Sequence, residues 1–163
     1  MAISLFLIIK ISNMRVVAYS IKTSEKEPLA IANRKKHEIT LISNALSEET
    51  AVYAKGKEAV IVYPGDVVDA AVINILADLG IKYIATRSTT MEHIDEQAAE
   101  KRHIKLAHVP AAILDLLSSE SLLSALATET INNLDNWQGK RCLGSACICS
   151  ATCRGPISLD HEH

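Results

Sequence analysis

The sequence predicts a doubly wound α/β fold on a parallel sheet of about five strands, and three observations predict it. Short β-branched runs alternate with longer stretches of helical period from Met14 to Val109. The 163 residues, 48% apolar and 22% charged, suffice for one ordinary core and exclude a disordered chain or a large multidomain enzyme. Aromatic residues make up only 4%, so that core is chiefly Ile, Leu, Val and Ala.

Residues 1–13 read as an extension outside the fold. The apolar run Met1 to Ile9 is closed by Lys10, far short of the roughly 20 residues that cross a membrane. It lacks a basic leading stretch, and no small-x-small pattern precedes Met14, which argues against a signal peptide. Met14 opens a clean strand, Arg15-Val-Val-Ala-Tyr-Ser20, and can itself be the natural start. Strands are expected near 15–20, 38–43, 59–63, 82–86 and 104–108. Between the third and fourth, Asp66 is placed to cap a helix whose Val68, Ala71, Val72, Ile75 and Leu79 share one face. Gly80 sits where that helix needs a left-handed C-terminal residue. The next helix is expected to start near Asp95, run through Ala98 and Ala99, and end near His103, where glycine would be easier.

These elements make a flavodoxin-like sheet, whose ligands sit beyond the carboxyl ends of the strands. Here that edge comprises the loops Ser20 to Thr23, Tyr63 to Asp66 and Thr86 to His93. After Pro110 the spacing turns helical over 111–117 and 121–137, with Leu123, Ala127, Leu134 and Trp137 on one stripe and no further strand signal. The expected organisation is therefore an α/β domain with an added C-terminal helix over 14–140 and a Cys-rich tail over 141–163.

Seventeen basic and nineteen acidic side chains, without a long block of either sign, leave no nucleic-acid footprint, and no stretch asks for a membrane. All four cysteines fall between Cys142 and Cys153, whereas a disulfide-stapled secreted domain spreads them. A reducing cytoplasm is the expected compartment.

The run Gly80-Ile-Lys-Tyr-Ile-Ala-Thr-Arg-Ser-Thr-Thr-Met-Glu-His-Ile-Asp95, followed by Ala98-Ala99 and by Ile104-Lys-Leu-Ala-His-Val-Pro110, resembles the D-isomer-specific 2-hydroxyacid dehydrogenases, near their D-lactate dehydrogenase branch. The resemblance extends back to Met14. It implies the family's flavodoxin-like substrate domain, in agreement with the pattern above. The family continues into a nucleotide-binding domain with a G-x-G-x-x-G turn. The six glycines here, at 56, 65, 80, 139, 144 and 155, fit no such spacing, so no NAD site is expected in this chain. The family's catalytic Arg, Glu and His belong to that domain too, so the resemblance assigns no catalytic residue. Residues Leu126 to Lys140 resemble the family's C-terminal helix, which packs back on the substrate domain.

The resemblance also implies an anion site at Arg87, Ser88, Thr89, Thr90 and His93, where backbone N–H groups of the family's loop receive the substrate carboxylate. The loop departs from pattern, with Thr90 in place of the family's glycine and Met91 in place of its aromatic. The Tyr that follows Val-Pro in many members is replaced by Ala111. Glu92 and Asp95 are three apart and read as acids drawn to a helix N-terminus. His93 reads as a loop-fixing side chain, and His37, His103 and His108 as turn or strand-end residues.

Independently of the family, Cys142, Cys147, Cys149 and Cys153 place four thiols in twelve residues. Thiolates select zinc, Cu(I) or an iron–sulfur cluster, although this spacing matches no standard knuckle. Thiol redox chemistry and an inert reduced tail are the alternatives; Arg141 and Arg154 would lower thiol pKa values. His161 and His163 could supplement the thiols as ligands.

Three functional readings follow. The first is a binding or regulatory module for a small carboxylate, with a metal or redox tail. The second is one subunit of a split NAD-dependent oxidoreductase whose nucleotide-binding chain is separate, and the third is a degenerate remnant. Loss of the family's second domain would bare an apolar patch, which predicts a partner or a homo-oligomer.

Overall fold

The computed structural model describes residues 13–115 and 118–140, together with the backbone of Cys147 and Ile148. Five parallel strands form the sheet: β1 (Arg15–Ala18), β2 (Glu38–Leu41), β3 (Ala59–Val62), β4 (Tyr83–Thr86) and β5 (Lys105–Ala107), in the order β2-β1-β3-β4-β5. Each lies where the β-branched runs place it, a little shorter than expected. A two-residue β6 (Cys147–Ile148) adds antiparallel to β5, with Cys147 opposite Ala107. It corrects the expectation that no strand follows Pro110; two residues are too few to leave a period-two signal.

Period-two alternation sorts the strand side chains onto two faces. Val17, Val60, Val62, Ile84 and Leu106 point to one face, covered by a 3₁₀ turn (Ala51–Ala54), α2 (Ala70–Asp78) and α3 (Glu96–Lys101). Val16, Ala18, Ala59, Ile61, Ala85 and Ala107 point to the other, covered by α1 (Thr23–Asn33) and α4 (Ser119–Gln138). Alanines dominate that second face across β1, β3, β4 and β5, which lets α4 approach closely. Trp137 fills the space they leave and stacks on Tyr83 with ring centres 4.9 Å apart.

The C-terminal helix is longer than its predicted 121–137, because Ser118 caps it by accepting from the Ser121 amide. Ala127, Leu134 and Trp137 of the expected stripe are buried, together with Thr130, Ile131 and Asn133, while Leu123 is half-buried. The expected helix over 111–117 is a 3₁₀ turn at Ala111–Asp115. Polar contacts fix α4 in register. His37, whose ring is fully buried, bonds the Asp135 carboxylate through Nε2 at 2.8 Å, Lys36 donates to the same carboxylate at 2.6 Å, and Asn133 Nδ2 donates to the His108 carbonyl. His37 is thus a core residue that anchors α4, more than the turn residue its position suggested.

Two capping expectations resolve differently. Asp95 caps α3, and His103 ends it at φ +57°, as the pattern predicted. Gly80 takes φ +92° after α2, again as predicted. The cap of α2, however, is Asp69, whose carboxylate accepts from the Val72 amide. Val68 is drawn out of the helix by a bridge to Ile94, so the buried face shifts to Val72, Ile73 and Leu76. Asp66 is buried instead, accepting from Ser20 Oγ (2.5 Å), Leu46 N (2.9 Å) and Tyr63 N (2.7 Å).

Asp66 therefore ties together the loops that follow β1, β2 and β3. Hydrogen bonds to a charged acceptor contribute about 1.5–3 kcal/mol each, and stranded donors add their desolvation cost. Asp66→Ala is expected to lower stability by about 3 kcal/mol or more in urea unfolding, whereas Asp69→Ala should lose only about 1 kcal/mol, the value of an N-cap.

Candidate functional site

The three loops at the carboxyl edge converge as predicted. Ser20 leaves β1 at φ +54°, and its hydroxyl reaches Asp66 in the loop after β3. Arg87, at the end of β4, lies buried beneath both. One terminal nitrogen of its guanidinium donates to Glu25 Oε1, and the other to the carbonyls of Tyr19 (2.9 Å) and Ser20 (3.3 Å). Nε is buried with no hydrogen-bond partner among the described residues. The guanidinium carbon lies 5.2 Å from the centre of the Tyr63 ring. Burial lowers the Arg87 pKa while Glu25, Asp66 and Tyr63 pull it back, and the guanidinium stays a cation paired with Glu25.

Glu25 was not among the residues singled out from the sequence. Its second oxygen accepts from the Lys22 backbone N–H at 2.8 Å, which closes the first turn of α1. One carboxylate thus joins the start of α1 to the end of β4. The signal for it was faint: an acid three residues into a helix is the ordinary closing partner of a cap, and its pairing with Arg87 spans 62 positions.

The loop from Ser88 to Asp95 is held at both ends. The Ser88 carbonyl accepts from Val109 N (2.8 Å), and Val68 pairs with the far end, donating to the His93 carbonyl and accepting from Asp95 N. Met91, in the place of the family's aromatic, is buried in the core beside α2 and α3. Thr90 N donates to Ser88 Oγ at 3.2 Å. None of Ser88, Thr89 or Thr90 adopts a left-handed φ. Ser88 and Thr89 are half-buried residues, and their amides have no hydrogen-bond acceptor among the described residues.

His93 is half-buried in the same loop, with Nε2 at 3.3 Å from Thr86 Oγ1. Burial pushes its pKa below the ordinary histidine value and Asp66 opposes the shift only in part, so the ring is neutral at pH 7. Arg87, Ser88, Thr89, Thr90 and His93 therefore share one edge, but in different roles. Arg87 is committed to protein partners, while Ser88 and Thr89 present open donors.

Of the tail cysteines, Cys142, Cys149 and Cys153 lie outside the described residues, as do His161 and His163; Cys147 is seen only as backbone in β6. No group of three or more His, Cys, Asp or Glu able to hold a metal occurs among the described residues. No helix among them is long and apolar enough to cross a membrane.

Comparison with known proteins bears on the whole domain. The catalytic domain of the D-isomer specific 2-hydroxyacid dehydrogenases matches residues 16–145, through α4. The chain is 37% identical over 99 residues to a 2-hydroxyacid dehydrogenase homolog of Zymomonas mobilis, and 33% identical over 99 residues to the D-lactate dehydrogenase of Escherichia coli. Each match covers 60% of this chain and 30% of the relative. The apo structure of Escherichia coli D-lactate dehydrogenase superimposes with a TM-score of 0.59, covering 60% of this chain and 31% of that one at 33% identity. The Salmonella D-lactate dehydrogenase gives 0.58 at 32% identity, covering 60% of this chain and 30% of that one. The chain spans about 30% of the length of these relatives. With the family match covering most of its residues and the same domain fold in solved relatives, this chain belongs to the D-isomer specific 2-hydroxyacid dehydrogenases, through their catalytic domain.

Proposed function

We propose that this chain is a binding module for a small carboxylate, built from the family's catalytic domain, and that it transfers no hydride by itself. The open amides of Ser88 and Thr89 carry the reading. Two adjacent backbone donors without an acceptor among the described residues, on a loop pinned at both ends, are available to one carboxylate. The buried Arg87, paired with Glu25, anchors the start of the loop from below, and the Ser88, Thr89 and Thr90 hydroxyls supply further donors. Hydride transfer needs a nicotinamide site, and this sequence has no dinucleotide-binding glycine turn.

D-lactate added to 15N-labelled protein is expected to shift the Ser88 and Thr89 amides selectively, with an affinity on the order of 1 mM. Unmoved amides would remove the reading. Anion binding and protonation of His93 favour each other, so affinity should rise by about fivefold as pH falls through the lowered range in which His93 takes up its proton. His93→Gln should flatten that rise. Given NAD and D-lactate, the purified chain should form no NADH; sustained turnover would overturn the non-catalytic part.

The length of the relatives favours a second reading. With 30% of their length matched, the domain would supply the substrate side of an oxidoreductase whose nucleotide-binding part is another chain. Turnover restored only by co-expression with a nucleotide-binding partner would select it.

For the tail, we propose that Cys142, Cys147, Cys149 and Cys153 bind zinc or an iron–sulfur cluster. The pairing of Cys147 with Ala107 supports this, because it secures the segment to the sheet edge and reduces the entropy lost on closing a ligand shell. Anaerobically purified protein should hold about one metal equivalent, lost in Cys147→Ser/Cys149→Ser. Four free thiols without metal would refute it, and a visible absorption band would distinguish iron–sulfur from zinc.

A further inference from the structure

β2 is the outer strand of the sheet, and among the described residues only β1 pairs with it. Glu38 N donates to the Met14 carbonyl and Ile42 N to the Ala18 carbonyl, so the even positions turn their backbone groups toward β1. Those of Ile39 and Leu41 point outward and have no partner among the described residues. At His37 the outward pair is closed. Asn33, at the end of α1, accepts from His37 N through Oδ1 at 3.0 Å and donates to the His37 carbonyl through Nδ2 at 2.9 Å, as a neighbouring strand would. The open edge therefore starts at Ile39.

The side chains of that edge are sorted by face. Ile39 and Leu41 leave the strand on the side of α1, where a groove of about 120 Å³ is lined by Leu29, Ala30, Asn33, Ile39 and Leu41. Leu41 is 37% exposed. Glu38 and Thr40 leave on the other side, where Lys57 Nζ donates to Thr40 Oγ1 at 2.8 Å and lies 4.0 Å from Glu38. The strand contains no proline, and its charges stay off the groove, so that face lacks the usual guards of a sheet edge.

Such an edge is complementary to itself. A two-fold axis normal to the sheet at Thr40 sets two copies of β2 antiparallel, with Ile39 of one opposite Leu41 of the other, and each such pair exchanges two N–H···O bonds. The same operation joins the two grooves on one side and brings Thr40 to Thr40 on the other. Glu38 becomes a diagonal neighbour of Thr40 in the other copy, within reach of the Lys57 beside it. A register centred on Ile39 would need the His37 groups that Asn33 already holds. We propose that the outer edge of β2 pairs in this way with a second copy of the chain, so that the two sheets run into one. The matching of apolar to apolar and of Glu38 to Lys57 selects a second copy over an unrelated strand. The carboxyl ends of the two sheets then face opposite ways, which leaves Ser88 and Thr89 open in both copies and makes this proposal independent of the carboxylate reading.

Sedimentation of the full chain over a concentration series is expected to show a monomer–dimer equilibrium with a Kd on the order of 100 µM, the weak association that so small a joint supports. Over the same series, hydrogen exchange at the Ile39 and Leu41 amides should slow as dimer forms. Leu41→Lys, which puts a charge into the joined grooves, should weaken association at least about tenfold. Thr40→Cys should link two copies through a disulfide under oxidised glutathione, located at position 40 by peptide mapping, because directly opposed residues of this type lie about 4.5 Å apart at Cα. Glu38→Cys should not, since its counterpart is displaced along the strand beyond disulfide reach. A monomer at every concentration, or a dimer that ignores Leu41→Lys and gives no bridge from Thr40→Cys, would overturn the proposal. Slow exchange at Ile39 and Leu41 already in the dilute monomer would place another part of the same chain on the edge, and would overturn it too. Far-ultraviolet dichroism on Leu41→Lys separates lost folding from lost association, and Thr40→Cys probes the joint from an exposed polar position.

Discussion

The open face of this molecule depends on one buried carboxylate. Asp66 accepts from Ser20 Oγ, Leu46 N and Tyr63 N, three donors in the loops after β1, β2 and β3. A parallel sheet positions its loops only as far as the last ladder hydrogen bond. Beyond that point something else must hold them in common register. Asp66 does so from a site almost closed to water, where each donor would otherwise be stranded. Arg87 repeats the arrangement with opposite sign, donating to Glu25 and to two carbonyls of the loop after β1. The anion and the cation together fix the edge on which the Ser88 and Thr89 amides are presented.

What could be seen in the sequence, and what could not, follows from the range of each interaction. The strands came through as β-branched runs, because such a run is written within four or five neighbours; their order in the sheet did not. The ends of α2 and α3 were equally local, with Gly80 and His103 accepting left-handed backbone and Asp95 capping. Asp66 was mistaken for a cap because an aspartate before a helical period normally is one; Asp69 lies only three residues on and took that role. Nothing adjacent in sequence marks a carboxylate that will accept from residues 46 positions away. Glu25 and the buried His37 were missed for the same reason, since their partners Arg87 and Asp135 are 62 and 98 positions distant.

The substrate loop shows how a fold survives a change in its chemistry. Replacing the family's glycine by Thr90 and its aromatic by Met91 would be costly if the loop still required left-handed backbone there. The loop instead keeps its fixed ends, through Val109 and Val68, and buries Met91 in the core. The Thr90 amide is consumed by the Ser88 hydroxyl, while the two amides before Thr90 stay open. Any anion site here is therefore narrower than the five positions that the resemblance suggested.

The position of α4 explains why function has to be sought at that edge. A parallel sheet needs cover on both faces, and α1 alone would leave the alanine-rich face across β4 and β5 in water. Trp137 stacks on Tyr83, and Leu134 and Ile131 join the same cluster, so the cover is supplied within this chain. Asn133 and Asp135 make the packing specific, because the His108 carbonyl and the His37 ring would lose their partners if the helix slid by a turn. With both faces closed by the chain's own helices, the carboxyl edge is where the Ser88 and Thr89 amides, without an acceptor among the described residues, are presented. A carboxylate ligand would satisfy both of them.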